Sequence, residues 1–234
     1  ESMNQARALY EITGYKHHEI TYHPSLYHKS TFFDDPKQVK QAQEFVYLHQ
    51  IKPPKLSTRV LDGELIKAFI GKAINLVQKS RVNVISTFYT DPHAYIANQV
   101  KLYSETVLNK KIITVQKAVG TDISTSIADH LEDGQGKFLL FQLLSADIVL
   151  AVSEFAKNKI IELANLAFPP DAAYELSSKI KVLYAPIDNK YFKIKDKQAI
   201  NKFKKMHKID PKKKIISYHG RLFSEKGVPD LINA

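Results

Sequence analysis

The stretch from Ile215 to Pro229 holds the residues best suited to chemistry: Gly220-Arg221, and then Lys226-Gly227. Arginine offers a planar fork for phosphate oxygens, and lysine offers a mobile point charge. A β-branched run at Ile215-Ile216-Ser217 leads into a loop bracketed by the two glycines, and Pro229 then opens a helix. Such a turn puts backbone donors and a helix N-terminus at the carboxyl edge of a sheet, where open α/β sheets bind phosphorylated ligands. The Arg221 and Lys226 pair suits a diphosphate. As plain chemistry the same residues also make an ordinary surface turn. Neither the G-x-x-x-x-G-K-[ST] loop nor the G-x-G-x-x-G dinucleotide fingerprint occurs.

The elements that must position these groups alternate short β-branched runs with helical segments, the pattern of a parallel sheet layered with helices. Strands are expected at Arg81 to Thr87, Lys111 to Gln116, Ala146 to Val152, Lys179 to Tyr184 and Lys214 to Tyr218. Asp91-Pro92 supplies an N-cap and a first-turn proline, and Ala94, Ile96, Ala97, Val100 and Leu102 make the apolar face of the helix that follows. A helix ends over Phe138 to Leu144, and Ser153 caps another running to about Ala164. Earlier in the chain the pattern gives a helix at Asn4 to Ile12 and a strand at Glu19 to His23. A helix follows Asp35-Pro36, and another spans Leu61 to Lys79. Paired prolines mark Ile51 to Pro54 and Phe168 to Asp171 as loops. His17, His18, His23 and His28 straddle a turn and a strand with no carboxylate at ligand spacing, so they read as surface or packing residues.

Composition narrows the function classes. At 234 residues, 44% hydrophobic and 25% charged, the chain has the make-up of a folded globular protein. It contains no cysteine, which removes disulfides, thiolate metal sites and cysteine nucleophiles. The most apolar window, Phe138 to Val152, includes Gln142 and Asp147 and is shorter than the about 20 residues of a membrane span. No secretory signal pattern opens the chain. The net charge of +10 is local: residues 192–234 hold 12 Lys plus Arg against 4 Asp plus Glu, leaving +2 for the rest. Ten of those lysines fall between Lys193 and Lys214, with Ile194, Ile200, Phe203, Met206 and Ile209 at helical spacing. This is either a solvated connector with one amphipathic helix, or a surface for anionic membrane or nucleic acid. No nucleic-acid-binding signature accompanies it.

Several of these stretches, taken in order, resemble one family. Gly220-Arg221-Leu222-Phe223-Ser224-Glu225-Lys226-Gly227 followed by Leu231-Ile232-Asn233-Ala234 is similar to the G-R-x-x-x-E-K-G … L-I-x-A motif of family-four retaining glycosyltransferases with the GT-B fold. Ser145 to Ser153 resembles the family's A-D-x-v-x-a-v-S strand, Lys179 to Phe192 its k-I-x-V-i-x-N-G-i-D-x-x-x-F stretch, and Val119-Gly120-Thr121-Asp122 its G-T/S-D loop. The resemblance covers roughly residues 81–234. It implies a Rossmann-like acceptor-side domain over residues 1–191, a basic connector over 192–213 and the start of a donor-binding domain over 214–234. It further implies transfer of a sugar from a nucleotide-diphosphate donor to an acceptor, with retention.

On that resemblance Arg221 and Lys226 are the catalytic pair, stabilising charge on the diphosphate leaving group without a metal, with Gly220 and Gly227 shaping its seat. The acceptor would meet loops at the carboxyl ends of the N-domain strands, at His93, Thr121, Asp122 and Ser153. Asp122 either orients an acceptor hydroxyl or makes an Asx turn or helix cap after Gly120. His93 either reaches the cleft or is a solvent-facing helix histidine. The implied partners are a nucleotide sugar and a polysaccharide, lipid-linked or small-molecule acceptor, in the cytoplasm or peripherally at the inner face of an anionic membrane. No cofactor, metal or nucleic acid is expected.

Departures are visible too. The family's first strand has no counterpart before Asn4 to Ile12, and its donor domain continues for about another 150 residues. Tyr184-Ala185-Pro186 replaces an Asn-Gly pair, and Gln116-Lys117 stands where many members place a histidine. The expectation is a truncated segment that does not catalyse by itself. The competing readings are a non-catalytic basic binding module and another phosphoryl-ligand enzyme on a similar fold.

Overall fold

A computed structural model describes residues 2–22, 36–51, 63–120, 122–185, 196–210, 216, 218, 220, 222 and 226–233. The chain divides into two compact units, Glu1–Ala185 and Pro186–Ala234. The first is a Rossmann-like α/β unit whose described strands pair in parallel throughout.

That unit opens with helix α1 (Ser2–Thr13), which ends at Gly14 with a φ of 72°. Strand β1 (His17–Tyr22), helix α2 (Pro36–Ala42) and strand β2 (Val46–Ile51) follow, with β1 and β2 forming a two-stranded sheet. Ile51 therefore closes a strand rather than belonging to the proline-marked loop; its pairing with Tyr22 extends the ladder to that point. The four-stranded sheet has the order β3 (Val84–Phe88), β4 (Ile113–Ala118), β5 (Ile148–Ala151) and β6 (Ile180–Val182). The helices between its strands are α4 (His93–Thr106), a π-helix (Asp122–Ala128), α5 (Gln135–Leu144), α6 (Glu154–Ala167) and α7 (Pro170–Lys179). Parallel strands require such crossovers, so every loop that leaves a strand emerges at one edge.

Register fixes which side chains enter the core. Gln116 pairs with Val149, and Ala118 with Ala151. These four are buried on one face, where the sheet meets Leu139, Leu140 and Leu143 of α5, Ile160 and Leu163 of α6, and Leu176 of α7. Helix α3 (Gly63–Lys79) packs Leu65 and Phe69 against Ile20 and Ile51 of the small sheet. Further along, its Val77 packs with Val100, Ile112 and Ile85 of the larger layer.

Three expectations are corrected. Helix α4 starts at His93, with Pro92 as its N-cap after a cis Asp91–Pro92 bond, because the Ala94 amide donates to Thr90 O and not to a side-chain cap. Leu102 lies off its apolar face and is exposed, while Ser104 is buried; the buried positions 94, 97, 100 and 104 follow the helical stripe that 102 misses. Pro169-Pro170 does not make a loop through Asp171. Pro170 is the first residue of α7, where a missing N–H costs nothing. Ser153 caps α6 as expected, its hydroxyl accepting from the Ala156 amide at 3.1 Å.

Among the described residues no helix is long and apolar enough to cross a membrane. The expected strand at Lys214 to Tyr218 lies largely outside the described residues.

Gly136 occupies the second position of α5, where its backbone runs hard against its neighbours. A Cβ there would meet the Ile127 carbonyl oxygen and lie 2.9 Å from the carbonyl carbon and oxygen of His130. Glycine-to-alanine inside a helix ordinarily gains about 1 kcal/mol. Here the sign reverses: Gly136→Ala is expected to cost about 1–3 kcal/mol of unfolding free energy in urea titrations, because the obstacle is backbone and cannot rotate away.

Candidate functional site

The loops after β3 and β4 meet at the carboxyl edge of the larger sheet. Beyond Phe88 the Tyr89 amide still donates to Lys117 O at 3.2 Å, but Tyr89 itself turns into the left-handed region with a φ of 77°. Bulky side chains rarely take that conformation. Thr90, 1% exposed, then donates its amide to Asp122 Oδ2 at 3.0 Å and its hydroxyl to the same oxygen at 3.4 Å. The Val119 amide donates to that oxygen as well, at 3.2 Å. One carboxylate oxygen thus ties the β3 loop to the β4 loop at the start of the π-helix.

These bonds run back to Val119 and across to the β3 loop, not forward to the amides of the π-helix, so they make neither the Asx turn nor the helix cap expected for Asp122. Burial pushes its carboxyl pKa up, and the nearby Asp91 carboxylate adds to the rise. The bonds from Val119 and Thr90 pull the other way without cancelling it. Thr121, beside it, lies outside the described residues.

His93 is half-buried at the first position of α4, edge-on to the Phe69 ring with centroids 6.5 Å apart. It is therefore a packing residue more than a solvent-facing one. Its Nδ1 is buried without a hydrogen-bond partner. Burial lowers its pKa, opposed by the Asp91 backbone and carboxylate, so the imidazole is neutral near pH 7.

Beneath it Gln116 donates through Nε2 to Ala94 O and Asn98 Oδ1, each at 3.2 Å. Asn98 in turn donates to the backbone and side-chain oxygens of Gln142 at 2.9 and 3.0 Å. Gln116 Oε1 and the Thr87 hydroxyl on the neighbouring register position are buried and without partners. On the sheet's other face Lys117 is 4% exposed, its Nζ 4.6 Å from the Phe88 ring centroid. Sequence reasoning passed over Tyr89, Thr90 and the inward turn of Lys117. The single visible signal was the clustering of Tyr89-Thr90-Asp91-Pro92 directly after a β-branched run.

In the second unit, helix α8 (Lys197–Met206) is capped by Asp196, whose side chain accepts from the Gln198 amide at 2.7 Å. None of its residues is buried, and Ile200, Phe203 and Met206 are exposed among its lysines. The final helix, α9 (Val228–Asn233), begins one residue before Pro229. Gly227 just ahead of it has a φ of 67°, and its carbonyl accepts from Leu231 N at 3.0 Å. That conformation suits glycine and few other residues. Lys226 is exposed, and Gly220 has a φ of 157° beside the Tyr218 ring. Arg221 lies outside the described residues.

No protein-family model matches the chain, and no curated protein matches it in sequence.

The Asp122 tie has a testable signature. Because its folded pKa is raised, its contribution to stability is fully present below the ordinary carboxylate value and is lost as pH rises through the folded value. Asp122→Asn keeps an acceptor oxygen for Thr90 and Val119 and removes that titration. Urea unfolding across pH 3 to 8 should therefore show this slope in the parent and not in the Asn variant. Asp122→Ala, which orphans the buried amides, is expected to cost about 1–3 kcal/mol.

Proposed function

We propose that this chain belongs to a retaining glycosyltransferase of the GT-B type, moving a sugar from a nucleotide-diphosphate donor to an acceptor. The observation that carries the reading is the ordered set of stretches from Val119 to Ala234, together with where they fall. Val119 to Asp122 follows β4 at the carboxyl edge, Ser145 to Ser153 contains β5, and Lys179 to Phe192 begins with β6 and runs on outside the described residues. Three such stretches in one chain order on one Rossmann-like layer, with a fourth in the sequence from Gly220 to Ala234, are more specific than any member alone. The glycine conformation at Gly227, with Lys226 exposed before a helix start, is compatible with a diphosphate seat.

In this reading Arg221 and Lys226 hold the diphosphate and stabilise the charge that develops on it as the bond from the sugar's anomeric carbon to the phosphate oxygen breaks and the acceptor oxygen bonds to that carbon. The acceptor meets the carboxyl-edge loops of the first unit, whose residues His93 and Asp122 are packed beneath that edge. Asp122 acts there chiefly by holding the two loops in place. A cytoplasmic setting follows from the donor, since nucleotide sugars are cytosolic substrates for enzymes of this type.

Equilibrium dialysis with radiolabelled UDP, GDP and ADP checks the assignment. One of them should bind, and Arg221→Ala combined with Lys226→Ala should weaken it about tenfold or more, the scale of charge-assisted bonds. Binding unchanged in the double variant, or none to the parent chain, sinks the reading.

A second reading has a specific observation behind it: α8 presents Ile200, Phe203 and Met206 exposed among lysines. A basic amphipathic helix of this kind lies in an anionic membrane surface. Cosedimentation with phosphatidylserine-containing vesicles that collapses as salt rises, with no response to the three nucleotides, would put this binding-module reading first.

A further inference from the structure

Tyr89 stands out at the carboxyl edge. It is 44% exposed, yet its backbone is held in the left-handed region with a φ of 77°. The hold is double. Its own amide bonds Lys117 O at 3.2 Å, and the next amide, Thr90, bonds Asp122 Oδ2 at 3.0 Å. Thr90 O then accepts from Ala94 N at 2.8 Å, joining the turn to α4. The ring leans edge-on against Phe88, centroids 5.0 Å apart and planes at 77°. Phe88 is itself backed by Lys117 Nζ at 4.6 Å. Backbone strain of this kind persists where the surroundings over-determine it, and it gathers at ligand sites.

We propose that Tyr89 is a stacking platform for a neutral saccharide ring of the acceptor. This deepens the glycosyltransferase reading and rests on it. Tyrosine presents a flat apolar face and a polar tip at low conformational cost, which suits a sugar whose one face is C–H and whose rim is hydroxyl. Charge decides against an anionic ligand. Asp91, two residues on, is exposed, Asp122 lies behind it, and the lysine of this edge is turned inward onto Phe88. A hydroxylated, uncharged ligand finds the Asp91 carboxylate here, and among the described residues the lysine of this edge, Lys117, is not turned outward to meet it. The strained backbone sets the ring's direction, so the residue confers acceptor specificity without taking part in bond making.

The test separates the ring from the backbone. The probes are the methyl glycosides of glucose, galactose, mannose and N-acetylglucosamine, followed by saturation-transfer NMR on the chain. At least one should receive saturation on its C–H face. Tyr89→Phe should retain the binding. Tyr89→Gly, at ease at this φ, should weaken it about tenfold or more while its Tm stays equal to the parent's or rises. Saturation of none of the four, or binding to Tyr89→Gly as strong as to the parent, overturns the proposal. Nucleotide binding at Arg221 and Lys226 is read separately in the other unit, so its loss overturns the glycosyltransferase reading and its survival leaves only the platform in error.

Discussion

Parallel pairing is the constraint from which the rest of the first unit follows. Each of β3, β4, β5 and β6 must be re-entered from the same end, so helices cross over between them and every outgoing loop is delivered to one edge. The ladder also decides side-chain direction. Thr87 and Gln116 share the helix-covered face, whereas Phe88 and Lys117 share the other. A one-residue slip would exchange those pairs, putting a lysine among the leucines of α5 and the glutamine network on the open side. The polar chain through Gln116, Asn98 and Gln142 works against such a slip, since its hydrogen bonds are satisfied in a single register.

Much of this architecture was legible in the residues. The β-branched runs before Thr87, Gln116, Val152 and Tyr184 each locate a strand, and the serine at 153 caps a helix where the pattern asks for one. The losses have physical causes. The six-residue β2 reads poorly because Val46 to Ile51 mixes tyrosine, histidine and glutamine into its alternation, and its partner strand carries two histidines. The Pro169-Pro170 pair hides a helix start, since only the first-turn position tolerates proline. The π-helix at Asp122–Ala128 has no composition signal at all. Its last turn lies close to Gly136 of α5, an approach that sequence spacing does not report.

The candidate site divides along the same line. Asp122 was visible as a polar residue after a glycine, with an acceptor-orienting role and a local turn or cap as its two readings, and its bonds are not those of a local cap. The oxygen it shares between Thr90 and Val119 depends on two strands lying side by side, 32 residues apart in the chain for the Thr90 contact. Tyr89 was invisible as anything but a strand-end aromatic, because a backbone angle leaves no mark in composition. Lys117 shows the opposite case. Its charge is plain in the sequence, but its packing on Phe88 removes it from the surface it would be assumed to decorate.

Helix α3 touches both sheets: Phe69 belongs to the cluster with Ile20 and Ile51, and the same ring stands edge-on to His93 at the mouth of α4. Packed interiors shift as rigid blocks and do not absorb small displacements locally. Phe69 is therefore the ring through which the β1–β2 pair and the start of α4 share one packed layer. The imidazole that it meets is packed in turn and acted on by the Asp91 backbone, so a change of side chain at 69 is felt on both sides of the ring. The small sheet and the helix start that follows Tyr89 are in this sense joined through one aromatic ring.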